Sequence, residues 1–209
     1  VIDGEPGTGK TELAREINHK AFDSGSLTVI DCRVLTVDNF EGYLFGEEGM
    51  IGFFDPASEP NSKGKLSLAR GGSILFRNSQ TLDKAIQSRI SDVMNFEDER
   101  RRDGITPVIT GWLFVGPSSW VNDAEFDIEP TFSNSIDGKT ITAPPLSQRS
   151  DFQKVALAII ADVSPDHTLS PVALRILQEE SWPGNLKQLR KTIQHAVAQA
   201  SGKVIRQDI

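Results

Sequence analysis

Cysteine is all but missing: Cys32 is the only one in 209 residues, so no intrachain disulfide can form. A fold of this kind must be held by its core, and a reducing, cytoplasmic setting is the simplest expectation. Long apolar runs are missing too. The longest, Val155 to Ala161, is far short of the roughly 20 residues that a membrane-spanning helix needs. No membrane association is expected, and no secretory signal pattern opens the chain. Basic residues are in deficit, 22 Lys and Arg against 29 Asp and Glu, for a net charge of −7. Gripping a phosphate backbone takes clustered Lys and Arg, so DNA contact is expected only through a domain outside this chain. His19, His167 and His195 are scattered and make no metal-ligand spacing with one another or with Cys32.

What is present is ordinary for a globular protein, with 38% hydrophobic and 24% charged residues. Val1-Ile2-Asp3 reads as the end of a strand whose earlier residues are missing, so a piece of a longer protein is expected. A glycine-rich loop over Gly4 to Gly9 precedes a helix expected over Lys10 to Phe22. Leu27 to Cys32 has the composition of a strand buried on both faces. A helix is expected over Val37 to Phe45, a loop over Gly46 to Gly64, a strand over Gly72 to Phe76 and a helix over Leu82 to Phe96. Glu97 to Asp103 reads as a solvated turn, Val108 to Val115 as a strand, Trp120 to Asp137 as irregular and Lys139 to Ala143 as a last strand. This alternation predicts an α/β core with a parallel sheet flanked by helices. Beyond Pro144-Pro145 three helices follow with no strand between them, over Ser150 to Ala161, Ser170 to Glu180 and Asn185 to Ser201. Two domains are therefore expected: an α/β core over 1–146, its first strand truncated, and an all-helical lid over 147–209.

Gly4-Glu5-Pro6-Gly7-Thr8-Gly9-Lys10-Thr11 matches the phosphate-binding P-loop pattern. Glycines let backbone N–H groups converge on phosphate oxygens without Cβ clashes, and the following helix directs its positive end at the same anion. Lys10 can reach the β- and γ-phosphates of ATP, and the Thr11 hydroxyl can ligate Mg²⁺. A loop that has lost its nucleotide is the alternative reading.

Several segments, in order, resemble the AAA+ domain of sigma-54-dependent transcription activators. They are Gly4 to Lys10, Tyr43-Leu44-Phe45-Gly46, Gly64 to Phe76, Gln87, Pro144 to Asp151 and Ser181-Trp182-Pro183-Gly184-Asn185-Leu186-Lys187-Gln188-Leu189. The resemblance covers nearly the whole chain. It implies a P-loop AAA+ core followed by a small helical lid, ATP or ADP bound between subunits of a ring, and remodelling of RNA polymerase that holds sigma-54. By the same resemblance Lys187 stands where the lid's sensing arginine is found.

The chain departs from that pattern where hydrolysis would occur. Arg77 and Asn78 stand where the family has the Walker B Asp and Glu, which hold Mg²⁺ and activate water. Arginine cannot accept a proton; beside Mg²⁺ it repels the ion, and beside a phosphate it can partly replace the ion's charge. Asn78 can position water but is no useful base. The segment between Asp103 and Gln148 holds no arginine, so the family's arginine fingers are absent, and such a finger is worth roughly 10³–10⁵ in rate. Val115-Gly116-Pro117-Ser118 replaces the sensor at the end of the fourth strand, and Asp31 replaces an asparagine. The sigma-54 contact loop, over Gly46 to Asp55, is degenerate; Phe53 and Phe54 either form an apolar tip or tuck onto the core. No catalytic residue is assigned. The leading expectation is a regulatory module that binds ATP or ADP, is deficient in hydrolysis and associates with itself or with related AAA+ subunits. An active ATPase in a mixed ring and a nucleotide-free scaffold are the alternatives.

Overall fold

The computed structural model describes residues 1–21, 26–47, 49–54, 64–136, 138 and 140–205, with 50–52 described through the backbone alone. The chain divides into two compact units: Val1–Asp3 with Lys10–Thr142, and Gly4–Gly9 with Ala143–Ile209.

The first unit is an α/β layer. Its elements are β1 (Ile2–Asp3), α1 (Lys10–Ala21), β2 (Leu27–Asp31), α2 (Phe40–Phe45), α3 (Gly49–Phe54), α4 (Lys65–Leu68), β3 (Ser73–Arg77), α5 (Lys84–Arg102), β4 (Gly111–Val115), α6 (Pro130–Ile136) and β5 (Ile141–Thr142). The five strands are parallel, in the order β2-β3-β4-β1-β5. Strand alternation sorts the side chains to two faces. Ile2, Leu75 and Val115 are buried on one face with Ala14 of α1, where Leu13 and Ile17 pack beside them. Ile30, Ile74, Phe76 and Phe114 fill the other, with Phe45 of α2 and Ile86, Ile90 and Val93 of α5. There the Phe76 ring lies stacked between Trp112 at 6.1 Å and Phe114 at 5.1 Å.

Several expectations need correction. Of Leu27 to Cys32, Leu27–Asp31 forms the edge strand β2, in which Ile30 alone is fully buried, and Cys32 opens a short 3-10 turn; the strand closed on both faces is β3. The helix expected from Val37 starts at Phe40, because the Asn39 side chain accepts from the Thr36 N–H and folds 36–39 into a turn. Within the stretch read as a loop, residues 49–54 are helical; Glu48 and 55–63 lie outside the described residues, as do Phe22, Asp137 and Lys139. Phe53 is fully buried against Phe45 and Phe54, and Phe54 meets the Phe96 ring edge-to-face at 4.4 Å, so these aromatics tuck inward.

Helix α5 begins at Lys84, with Asp83 as its N-cap accepting from the Ala85 N–H at 2.8 Å. It does not stop at Phe96. The charge run read as a solvated turn is its last stretch, and Glu97 faces inward at 1% exposure. Its two oxygens accept from the Val108 N–H at 3.0 and 2.9 Å, pinning the connection into β4. The stretch read as irregular contains α6, started where Glu129 accepts from the Phe132 N–H. Gln87 is fully buried and holds the approach to α6, donating to the Leu82 and Asp127 carbonyls and accepting from the Glu129 N–H at 2.7 Å.

The second unit carries α7 (Phe152–Val163), β6 (Thr168–Leu169), α8 (Pro171–Glu179), α9 (Asn185–Gln199) and β7 (Val204–Ile205). The expectation of an all-helical lid is thereby corrected: β6 and β7 pair in parallel, Thr168 with Val204 and Leu169 with Ile205. Two-residue strands have no periodicity to read. Ser170 caps α8 by accepting from the Ala173 N–H at 3.1 Å, with Pro171 at the first helical position. The core of this unit joins Phe152, Ile160, Leu177, Leu189 and Ile193 to Trp182, whose indole N–H donates to the Leu177 carbonyl at 2.7 Å. Among the described residues no helix is long and apolar enough to cross a membrane.

Candidate functional site

The glycine-rich loop takes backbone conformations that its sequence permits and most others forbid. Gly4, Gly7 and Gly9 have φ of +140°, +82° and +90°. A Cβ at Gly7 would stand 2.3 Å from the Gly184 carbonyl oxygen, and one at Gly4 would stand 2.6 Å from that of Ala143. The Thr8 hydroxyl donates to the Glu5 carbonyl at 2.9 Å and closes the turn from inside. This is a cradle that a side chain would fill, and its donors are of the kind that phosphate oxygens accept from. The residues fit a nucleotide's phosphates.

Gly4 to Gly9 pack with the turn that opens α9. The Lys187 N–H donates to the Gly7 carbonyl at 3.3 Å, so the sequence-predicted Lys187 does come beside the loop. The residue that binds this turn together, however, is Asn185. It is 1% exposed, with φ of +52°. Its Nδ2 donates to Glu5 Oε2 at 3.0 Å and to the Pro6 carbonyl at 3.1 Å, while its Oδ1 accepts from the Leu146 N–H at 2.7 Å. Composition marks Asn185 only as a turn residue; its positive φ and its three partners from two distant stretches are tertiary facts. Lys10 and Thr11 open α1 and are both half-buried.

The far end of β3 carries the two residues that replace the expected acids. Arg77 is the last residue of the strand and is paired in register with Asp31 on β2 and Val115 on β4. Asn78 follows in the left-handed region at φ +57°, ψ +42°, a conformation that asparagine tolerates better than most side chains. That turn aims its amide at β2, where Nδ2 donates to Asp31 Oδ1 at 2.9 Å. Asp31 is also engaged by the fork of Arg33, whose Nε donates to Oδ1 at 2.9 Å. The Arg33 hydrogen bond, with smaller help from Asn78, holds the Asp31 carboxyl well below the usual carboxylate range. The carboxylate and amide at the ends of β2 and β3 are thus spent on each other.

Cys32 follows Asp31 and is fully buried. Burial, with a smaller push from the Asp31 charge, raises its thiol to about 12. A buried thiol of that kind is inert because the thiolate is the nucleophile. Native protein is expected to leave Cys32 unlabelled by a thiol reagent at pH 8, with full labelling on denaturation; rapid labelling of native protein would contradict this burial.

Beside β4 the chain turns under Trp120. Gly116 is needed there: a Cβ would meet the indole at 2.4 Å. The Ser119 N–H, from a residue at φ +56°, donates to Asp3 Oδ2 at 2.9 Å. Among the described residues, Asp3 Oδ1 and Trp120 Nε1 are buried and find no hydrogen-bond partner. Sequence reading passed over both residues, since neither belongs to a pattern.

The sigma-54 interaction domain matches residues 1–106, and the AAA+ ATPase lid domain matches residues 149–209. Among curated proteins the chain is 31% identical over 218 aligned positions to the hydrogenase transcriptional regulatory protein HoxA of Cupriavidus necator, covering 99% of this chain and 44% of that protein. It is 27% identical over 217 positions to the Nif-specific regulatory protein of Azospirillum brasilense, covering 99% of this chain and 34% of that one. The chain therefore spans less than half the length of these relatives. Among solved structures NtrX from Brucella abortus superposes with a TM-score of 0.69 at 22% identity, covering 100% of this chain and 49% of that one. A second NtrX structure, in complex with ATP, gives 0.65 at 23% identity over 94% of this chain and 46% of that one. These two show the fold. With its first 106 of 209 residues matched, the chain belongs to the sigma-54 interaction domain family of AAA+ P-loop proteins.

Proposed function

We propose that this chain is a nucleotide-binding module of a transcription regulator that holds ATP or ADP through its P-loop and does not turn ATP over efficiently. The observation that carries the reading is an intact cradle in a chain whose β3 ends without acids. Backbone N–H groups of Gly4 to Gly9 would receive the phosphates, with Glu5, Pro6 and Thr8 setting the turn, and Lys10, Thr11 and Lys187 would add donors. At the end of β3, Arg77 and Asn78 form a degenerate Walker B: neither can take a proton from water, and the Asn78 amide is already engaged by Asp31. The same fold in NtrX is found with ATP and with ADP, which supports nucleotide as the ligand class.

Binding without turnover makes a switch rather than a motor. A ligand shifts an equilibrium only by its different affinities for two states, so nucleotide here would govern association with like or related AAA+ subunits. Sigma-54 and RNA polymerase are partners by family membership. With Phe53 buried and Phe54 packed on Phe96, an apolar tip from these two aromatics is not part of that contact.

Calorimetric titration with ATP and ADP, paired with a phosphate-release assay, tests the reading. Saturable binding that is lost in Lys10→Ala, with phosphate release at background, is the expected result. Release at the rate of a working family member would overturn the claim of impaired hydrolysis and favour an active ATPase, alone or in a mixed ring. No binding at millimolar nucleotide would leave a scaffold that acts through protein contacts.

A further inference from the structure

Resting on the nucleotide reading above, we infer that Arg77 is a built-in counter-cation for the bound triphosphate, taking the place of Mg²⁺, so that the chain binds metal-free nucleotide. The donor set does not suit the ion. Where a divalent cation needs hard anionic oxygens, the end of β3 offers a guanidinium and an amide. Of the carboxylates nearest to it in the chain and in the sheet, Asp31 is held by Arg33 and Asn78 and Asp83 caps α5. Asp3 spends Oδ2 on the Ser119 N–H, and its Oδ1 has no hydrogen-bond partner among the described residues; a single carboxylate oxygen is a poor shell for a divalent cation.

The placement of Arg77 gives its charge a direction. Register aligns it with Val115 on β4, which in turn aligns with Ile2 on β1, the strand that leads into the P-loop. Leu75, Val115 and Ile2 lie on the sheet face covered by α1, and Arg77, two residues beyond Leu75 on the same strand, projects to that face. It therefore stands at the carboxyl edge of the sheet, on the side of the helix whose first residues are Lys10 and Thr11. Asp3 is one residue beyond Ile2 and projects to the opposite face, so it does not neutralise Arg77.

Arg77 is half-buried, and no ion pair or side-chain hydrogen bond to it is found among the described residues. Its register partner Asp31 shares that face, but the oxygens of Asp31 are bonded to Arg33 and Asn78 and not to Arg77. A partly desolvated guanidinium with no acid bonded to it is costly unless an anion comes there. Arginine is the side chain whose planar fork matches phosphate oxygens two at a time. It is permanently charged, so it would meet the full charge of free ATP better than that of the magnesium complex, from which two charges have been removed.

The test is the affinity of the purified chain for ATP, measured by calorimetry in EDTA and again with excess Mg²⁺. The expected result is binding in EDTA at least as tight as in Mg²⁺. Arg77→Ala, with its apo melting temperature checked against that of the unaltered chain, should weaken binding in EDTA by about tenfold to a hundredfold, the range for a lost charge-assisted hydrogen bond. Arg77→Lys, which keeps the charge without the fork, should fall between the two. Arg77→Asp should bind only with Mg²⁺ present. Binding by the unaltered chain that demands Mg²⁺, or Arg77→Ala binding as tightly as the unaltered chain in EDTA, overturns the assignment of Arg77 while leaving the nucleotide reading standing. Absence of binding in both buffers overturns both.

Discussion

Asn185→Ala is expected to destabilise the helical unit by about 3 kcal/mol, the sum of a few stranded polar groups at roughly 1 kcal/mol or more each. The side chain is almost wholly inaccessible, so water cannot replace it. Truncation strands the Leu146 N–H and the Pro6 carbonyl in the interior and removes one donor from the Glu5 carboxylate. It also leaves an alanine at φ +52°, where a left-handed conformation costs an ordinary residue about 1–2 kcal/mol. Asn185→Gly separates the two contributions: it strands the same groups but relieves the backbone, and should recover about 1 kcal/mol relative to alanine. Asn185→Asp should fare no better than alanine, because a carboxylate would face Glu5 and the Pro6 carbonyl. Denaturant unfolding of the four proteins gives the order directly. If alanine and the unaltered chain unfold together, Asn185 is not the pin that its bonds describe.

The second large effect is expected at Glu97. Removing its carboxylate in Glu97→Ala deprives the Val108 N–H of both acceptor oxygens and opens a void at the end of α5, a cost of about 2–3 kcal/mol. The conservative variant is more informative because of charge. Burial, partly offset by the Val108 hydrogen bond and the Arg100 charge, raises the Glu97 carboxyl above its ordinary value of 4.5. The folded state therefore holds this proton more tightly than the unfolded chain does. The stability that this contributes is fully present below about pH 4.5 and is lost as pH rises through the folded value. Glu97→Gln keeps an acceptor for Val108 without the titrating proton. Its stability relative to the unaltered chain should rise across that window and level off above it. A difference that stays constant with pH would show that Glu97 is not titrating in a desolvated place.

The P-loop was legible because phosphate binding imposes both residue type and spacing within eight consecutive positions, Gly4 to Thr11. Arg77 and Asn78 were legible as substitutions because strand β3 is fixed in register by an apolar run, Ile74 to Phe76, that cannot slide without exposing itself. What they touch was not. The engagement of Asn78 by Asp31 joins positions 47 residues apart, and the contacts of Asn185 with Glu5 and Pro6 join positions 180 and 179 apart. No local pattern encodes such pairs. Glu97 misled for a related reason: a charged residue in a run of charges reads as solvent-facing, and only the arrival of Val108 supplies the donor that makes its burial tolerable.

By itself the sequence determined the α/β core, the helical unit after Pro144-Pro145, the phosphate loop and the absence of acids after Phe76, because each is written in local composition or spacing. Tertiary structure decided the rest. It made β2 an edge strand, turned Phe53 inward, paired β6 with β7, and seated the turn before α9 on the glycine loop. It also set Arg77 in register with Val115 of β4, and Val115 in register with Ile2 of β1. These outcomes depend on which partner arrives from elsewhere in the chain to satisfy a buried donor, acceptor or apolar ring. That is a property of the assembled core, and no window of sequence contains it.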